Sequence, residues 1–179
     1  MSGQRQTGGH LSAQKLAAWR GFLRVHSSLL HQLDAELSAT HGLPLRSYEV
    51  LLLLDDAPDR RLRMTDLSRS VLLSPSGVTR LVDRLVREGL VDRERCADDG
   101  RGSYAVLTAA GGRRLTVARS THLAGVQRLF LGRFSDADLR VLAEYWDRVV
   151  PGAAGSDAEW RRTAPGGDAA DCRESAADA

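Results

Sequence analysis

Hydrophobic positions along most of the chain recur every three or four residues, which is the spacing of one face of an α-helix. Over residues 11–40 they form a single seam that no proline interrupts. Phe22 and Val25 widen the apolar arc beyond that seam, which predicts a helix that packs against its own domain and against a second subunit. Gly42 stands where a left-handed residue would end the helix. The seam consists of Leu16, Trp19, Leu23, His26, Leu30, Leu33 and Leu37.

Shorter helices are predicted next in the chain. The apolar spacing indicates a helix over Leu45–Asp55, a short extended segment at 60–64, and a helix that runs from Thr65, as its N-cap, to about Val71. After a tight turn, Ser74 as N-cap and Pro75 at the first helical position predict a further helix. That helix is expected to end near Glu88, with Gly89 just beyond it.

Beyond Gly89 the pattern changes to the alternation that favours strands. Residues 90–95 and 103–107 are predicted to pair around the polar loop 96–102. Thr108 is expected to cap a helix that reaches Phe134, and Ser135 begins a capping-box pattern for a last helix to about Val150. The predicted fold is mainly α with a small β-hairpin wing: a winged helix-turn-helix with long dimerisation helices.

The second helix of this helix-turn-helix has two different faces. On a helical wheel at ~100° per residue, Ser76, Arg84 and Arg87 cluster around Arg80, and the apolar residues lie opposite. Such an arginine-bearing face suits the DNA major groove, which admits a helix and offers acceptor atoms. Residues 74–101 carry six arginines and six acids, so the order of elements, and not the net charge, favours DNA binding.

Several motifs make the chain similar to the MarR family of bacterial transcriptional regulators. The resemblance extends over about residues 11–150, and its most specific signature is the Asp-x-Arg of the wing followed, seven residues after the arginine, by Thr108. The remaining motifs are Gly-Leu-Pro-Leu-Arg-Ser-Tyr-Glu-Val-Leu at 42–51, Leu-Ser-Pro-Ser-Gly-Val-Thr-Arg-Leu-Val-Asp-Arg-Leu at 73–85, Glu-Gly-Leu-Val-Asp-Arg at 88–93 and Leu-Thr-Ala-Ala-Gly at 107–111.

The resemblance implies a homodimer that places two winged domains on adjacent major grooves of double-stranded DNA. Binding to a pseudo-palindromic site, and a repressor role, are expected with it. The implied organisation is a dimerisation region at 11–42 and 108–150 and a winged helix-turn-helix at 43–107. Outside the resemblance, the polar and small-residue composition of the ends predicts a flexible N-terminus at 1–10 and a mostly disordered tail at 151–179.

The resemblance also assigns roles to individual residues. Arg101 would sit at the wing tip and enter the minor groove, Asp99 would brace the wing, and Arg46 is a weaker candidate for a phosphate contact. The wing loop has one arginine and two aspartates, fewer basic residues than wings of this family often carry. The recognition helix would present Ser74, Ser76, Thr79, Arg80 and Arg84 to DNA.

Family members often release DNA when a small ligand, a metal or an oxidant acts on the dimer. His26 fits such a ligand pocket, but a histidine in an apolar seam is more often a hydrogen-bonded core residue. No cofactor is predicted, no metal is expected because the histidines lack ligand spacing, and Cys96 leaves redox sensing open. The candidate effector pocket consists of Trp19, His26, Tyr48 and His122.

Composition and charge restrict the alternatives. The chain is 42% apolar and 27% charged, it has no apolar run long enough to span a membrane, and it begins without a secretory signal, so a cytoplasmic location is expected. The net charge of the chain is +2. Residues 151–179 carry a charge of −3, so residues 1–150 carry +5. No catalytic motif is present, so an enzyme is not expected. The alternative is a winged-helix protein-interaction module that does not bind DNA.

Overall fold

The computed structural model describes residues 11–71, 73–95 and 102–155, and within these ranges it contains six α-helices and one three-stranded sheet. The helices are α1 (Ala13–His41), α2 (Leu45–Asp55), α3 (Met64–Ser70), α4 (Pro75–Arg87), α5 (Ala109–Leu129) and α6 (Asp136–Val149). The strands are β1 (Arg61–Arg63), β2 (Val91–Arg95) and β3 (Ser103–Leu107), and two short 3₁₀ turns lie at Pro58–Arg60 and Leu131–Arg133.

Most helix ends lie where the sequence predicts them. Gly42 has φ 58° at the end of α1, and its backbone N–H satisfies free carbonyls of the last turn. The hydroxyls of Ser74 and Thr108 cap α4 and α5 by accepting from the backbone N–H of the third helical residue. Ser135 and Asp138 form a complete capping box at the start of α6. These local predictions are confirmed.

Two predicted boundaries are wrong. Thr65 is not an N-cap, because β1 runs directly into α3 and the extended residue Arg63 takes the cap position. The helix after the wing does not reach Phe134: Phe130 leaves the helical region at φ −129°, ψ −69°, and α5 ends at Leu129. The chain then turns so that the rings of Phe130 and Phe134 meet at a centroid distance of 5.2 Å.

The sheet forms the base of the wing. Its strand order is β1-β3-β2, and all pairs are antiparallel. Val91 pairs with Leu107, and both are buried together with Ala105 on the inner face of the sheet. β2 and β3 stay paired from this end to Arg95 and Ser103, so the two strands of the predicted wing are present.

One apolar core joins the winged-helix elements to the adjoining halves of α1 and α5. From α1 it takes Leu33 and Leu37, and from α5 it takes Leu115 and Ala118. The remainder comes from α2, α3, α4 and the sheet, together with Leu43 before α2 and Val71 after α3. Two glycines of α5, Gly111 and Gly125, allow close packing. A Cβ at Gly125, for example, would lie 2.8 Å from Leu33 Cδ2.

Another set of apolar side chains remains exposed on the described single chain. α6 contributes no buried residue, although it is amphipathic, and Val149 is 75% exposed. None of the helices in the described ranges is long and apolar enough to cross a membrane. The exposed set includes Trp19, Phe22, Leu23, Val25, Val117, Leu123, Val141, Tyr145, Trp146 and Val149.

Candidate nucleic-acid interface

Helix α4 separates an apolar face from a polar one, as its sequence predicts. Val78, Leu81, Val82 and Leu85 are buried, none of them more than 8% exposed. The four residues on the other side of the first two turns, Ser74, Ser76, Thr79 and Arg80, are exposed. The apolar contacts therefore hold α4 in the domain while its polar N-terminal half faces outward.

The exposed side chains of α4 differ in how freely they can meet a ligand. The hydroxyl oxygens of Ser74 and Ser76 lie 3.2 Å apart, and Thr79 Oγ1 donates to the carbonyl of Pro75 at 3.0 Å. Arg80 has neither an ion-pair nor a hydrogen-bond partner among residues 11–71, 73–95 and 102–155. Its guanidinium is the most available donor group on this face.

Arg84 lies one turn further along α4, but its guanidinium is already engaged. Its Nη2 donates to Ser47 Oγ at 2.7 Å, and its Nε lies 3.9 Å from Glu88 Oε1. Ser47, on the first turn of α2, is 1% exposed. Sequence reasoning missed Ser47 because no helical periodicity reports a contact between residues 37 positions apart.

Three other arginines on or near α4 already have partners. Arg93 on β2 forms an ion pair with Asp83 at 3.0 Å, and Arg87 donates to the Asp83 carbonyl at 3.4 Å. Arg46, the candidate phosphate contact, forms a 2.8 Å ion pair with Glu49. Any phosphate that approaches Arg46 would therefore compete with this carboxylate.

The predicted wing tip lies outside the described residues, and with it Arg101, Asp99 and Cys96. What the structure describes is the sheet below the tip. Arg61 and Arg63 on β1 lie over the Tyr104 ring, with guanidinium carbons 4.9 and 5.7 Å from its centroid. On the solvent face of the sheet, two arginine side chains therefore make cation–π contacts with one tyrosine ring.

The four residues of the candidate effector pocket form two separate groups within the described part of the chain. A single chain therefore does not bring them together in one pocket. Tyr48 and His122 meet between α2 and α5 at a ring distance of 4.5 Å. Trp19 and His26 are exposed and stack on either side of Phe22. Phe22 also contacts Trp146 of α6 at 5.7 Å.

The Tyr48–His122 pair is electrostatically unusual. Burial raises the pKa of the Tyr48 hydroxyl, and the nearby Arg119 guanidinium acts in the opposite direction. Burial lowers the pKa of the His122 imidazole. His122 Nδ1 is buried and finds no hydrogen-bond partner in the described ranges, which is an energetically costly state for a polar atom.

An ionic cluster beside this pair joins the winged-helix elements to α5, and no sequence pattern predicts it. The Asp55 carboxylate, at the end of α2, binds Arg60 and also accepts from Arg119 of α5 at 3.4 Å. Asp59 and Arg60 both adopt positive φ, 53° and 54°, a conformation that non-glycine residues rarely adopt. Within the described residues no group of three or more His, Cys, Asp or Glu could hold a metal ion.

Comparisons with known proteins agree on one family. A family model described as MarR family matches residues 41–102. The chain is 32% identical to AbsC, a MarR family transcriptional regulator from Streptomyces coelicolor, with a TM-score of 0.75 over 83% of this chain and 99% of that one. It is 29% identical to Sco3205, a MarR family regulator from the same organism solved in complex with DNA, with a TM-score of 0.76 over 86% and 96% of the two chains.

Two further matches differ in what their names describe. The HTH-type transcriptional repressor YetL of Bacillus subtilis (strain 168) is 25% identical over 148 residues, which cover 80% of this chain and 87% of YetL. The structure of CouR from Rhodococcus jostii RHA1, bound to p-coumaroyl-CoA, matches with 27% identity and a TM-score of 0.64, over 76% of this chain and 95% of that one.

Proposed function

The chain belongs to the MarR family of transcriptional regulators, and from that premise we propose that it is a homodimeric repressor that reads a pseudo-palindromic DNA site through α4. The observation that carries the proposal is the division of α4 into a buried apolar face and an exposed face that bears Arg80. A helix of this kind fits the major groove, and its first-turn amides can meet a phosphate. Acting on bacterial DNA, it would work in the cytoplasm.

Arg80 is the proposed base-reading residue. Its guanidinium is free of partners in the described ranges, and an arginine can bond the O6 and N7 atoms of guanine at once. The hydroxyls of Ser74, Ser76 and Thr79 lie nearer the start of α4, where they would bond phosphates or base edges. Arg84 shares the face, but its guanidinium is bound to Ser47.

Two flanking contacts complete the proposed interface. The strands β2 and β3 lead toward Arg101, which we place in the minor groove with Asp99 as its brace. Arg46 is proposed as a phosphate contact that must first loosen its pair with Glu49. Both contacts would add affinity with little sequence information, because phosphate and minor-groove contacts discriminate bases weakly.

The exposed apolar residues of α1, α5 and α6 support the proposed homodimer. A helix that is amphipathic yet buries no residue in its own chain, as α6 does, needs another surface to cover its apolar side. Phe22 of α1 contacts Trp146 of α6 and continues the same surface, and Leu23, 44% exposed, lies on the adjacent side of α1. Dimerisation would also place two copies of α4 about one DNA turn apart.

Release of DNA by a small molecule is the remaining part of the proposal. The Tyr48–His122 pair supports it, because a ligand group could satisfy the buried Nδ1 of His122. A second copy of α1 could bring Trp19 and His26 to the same region. CouR, a relative of similar fold, is known with an acyl-CoA ligand bound.

In vitro selection tests this function directly. The full-length protein would be used to select duplexes of about 30 bp, long enough for two half-sites one turn apart, from a random library, and the enriched duplex would be titrated by fluorescence anisotropy beside a scrambled one. We expect enrichment of an inverted repeat and at least ~10³-fold preference for it. Failure to enrich any sequence would contradict the proposal and favour a protein-interaction module.

A further inference from the structure

We propose that Arg84 is a positioning residue: through Ser47 it fixes α4 against α2, and it leaves base reading to Arg80. The inference rests on the proposed function, because the position of α4 has a measurable effect on binding only if α4 reads DNA. It also changes the role that sequence reasoning gives to Arg84, which groups it with Arg80 on one helix face.

The contact between Ser47 and Arg84 is short, directional and buried at one end. Ser47 is 1% exposed, and among the described residues no other polar side chain is buried to this extent. Its Oγ accepts from Arg84 Nη2 at 2.7 Å, the length of a charge-assisted hydrogen bond. A buried hydroxyl that lost this donor would be left without compensation, so the fold has a reason to keep the contact.

Apolar packing determines which face of α4 is buried, but it fixes the rotation of the helix about its axis only coarsely. The attraction that buries Val78, Val82 and Leu85 is proportional to area and has no direction. A hydrogen bond, in contrast, tolerates only about 0.5 Å of variation in length. Because Arg84 lies one turn, about 6 Å, beyond Arg80, a fixed Arg84 also fixes the direction in which Arg80 leaves the helix.

A second hydrogen bond connects α2, and with it α4, to α1. α2 has Pro44 at its N-cap, which offers no capping side chain, and the backbone N–H of Leu45 instead donates to Asp34 Oδ1 of α1 at 2.8 Å. Ser47 lies on that same first turn of α2. Directional bonds therefore connect α1 to α2 and α2 to α4, so that α4 is oriented relative to the long helix and not only within its own domain.

The alternative role of Arg84, as a second reader of bases, is disfavoured by its present partners. To reach a base edge its guanidinium would have to leave Ser47 and the neighbouring Glu88 carboxylate. Leaving would strand the buried Ser47 hydroxyl. Arg80, one turn nearer the N-terminus, has no partner to give up in the described part of the chain.

The test uses the full-length protein and the duplex it selects from a random library. Ser47→Ala, Arg84→Gln, the double variant and Arg80→Ala would be titrated by anisotropy against that duplex, its single-base variants and a scrambled control. Ser120→Ala is the matched control, because its exposed hydroxyl donates only to the Val117 carbonyl within α5. Circular dichroism would verify that each variant is folded.

We expect Ser47→Ala and Arg84→Gln each to weaken binding to the selected duplex roughly tenfold. The double variant should be no weaker than the singles, because both remove one contact. The base positions at which discrimination falls should be those lost in Arg80→Ala. Ser47→Ala keeps every charge, so its binding to scrambled DNA should stay within about twofold of wild type and its salt dependence should not change.

Two results would overturn the positioning role. One is Ser47→Ala binding with full specificity, and the other is Arg84→Gln losing discrimination at a base position of its own. If Ser47→Ala does not fold, Arg84→Gln decides alone, since Arg84 is half-exposed and its discrimination profile still separates the two roles. A wild-type protein that prefers no sequence would instead refute the proposed function, which is a different outcome.

Discussion

Replacing Gly111 with alanine should destabilise the protein although it adds a better helix-forming residue to α5. Gly111 is buried in the first turn of that helix, against the backbone of Leu90. An added Cβ would overlap the Leu90 carbonyl oxygen, and it would lie 3.1 Å from the Leu90 carbonyl carbon and 2.7 Å from Leu107 Cδ1. The Leu107 methyl can rotate away, but the peptide of Leu90 cannot.

The size of the effect follows from what must move. Leu107 Cδ1 would need to retreat by about 0.8 Å to reach a normal carbon–carbon distance, and overpacking of this kind costs about 1–3 kcal/mol. The Leu90 carbonyl also accepts from Thr108 N at 3.2 Å, a bond worth about 1 kcal/mol. Alanine regains up to about 1 kcal/mol of helix propensity. The net loss should be about 1–3 kcal/mol.

Thermal unfolding followed by circular dichroism measures this loss, at one fixed protein concentration because the Tm of the proposed dimer would depend on it. For a chain of this size the loss corresponds to a Tm lower by roughly 2–12 °C. Gly112→Ala is the matched control: its Cβ would meet only the flexible end of Arg60, 3.0 Å away, so it should be neutral or stabilising. A Gly111→Ala variant as stable as Gly112→Ala would refute the reasoning.

Four further substitutions and one deletion test other parts of the molecule. Leu23→Asp should weaken the proposed dimer by several kcal/mol, because it buries an unpaired charge; sedimentation would measure it, and an unchanged dimer would contradict the assigned surface. Arg80→Ala should lower affinity for the selected duplex far more than for random DNA, whereas Arg101→Ala should weaken both and reduce the salt slope by about one per site; anisotropy at several salt concentrations separates these outcomes. Burial lowers the pKa of His122 below its usual 6.5, so protonation favours the unfolded chain and stability should fall as the pH drops below that value. His122→Phe should lose less stability between pH 7 and pH 5 in urea titrations, and equal losses would exclude His122 as the cause. Deletion of residues 156–179, which carry a net charge of −3, should leave DNA affinity within about threefold, because salt screens their repulsion of the phosphates.

The parts of the fold that depend on neighbouring residues could be predicted from the sequence. Helix caps are examples: Ser74 and Thr108 act within three residues of themselves. The two faces of α4 could be predicted for the same reason, because a 3.6-residue period decides them. The end of α5 could not, since the Phe130 backbone and the Phe130–Phe134 contact depend on tertiary packing.

The candidate site shows the same limit. A helical wheel assigns Arg80 and Arg84 to one face, and both lie there, but it contains no information about partners on other helices. The bond from Arg84 to Ser47 and the one from Arg119 to Asp55 span 37 and 64 residues. The glycines of α5 follow this rule too: Gly111 and Gly125 lower helix propensity in the sequence, and only the structure gives the close approaches that require them.

The placement of the core has a consequence for the order in which the protein is made. Every side chain of the buried core lies between Leu33 and Ala118, whereas α6 begins at Asp136 and contributes no residue to that core. A ribosome adds about 5–20 residues per second, so the core is complete in the nascent chain seconds before the apolar side of α6 is synthesised. The domain can therefore fold during translation, before the surface that the proposed dimer would cover is complete. Capture of the proposed partner then becomes a post-translational, concentration-dependent step, and at low copy number the apolar surface of a released chain would stay uncovered for longer.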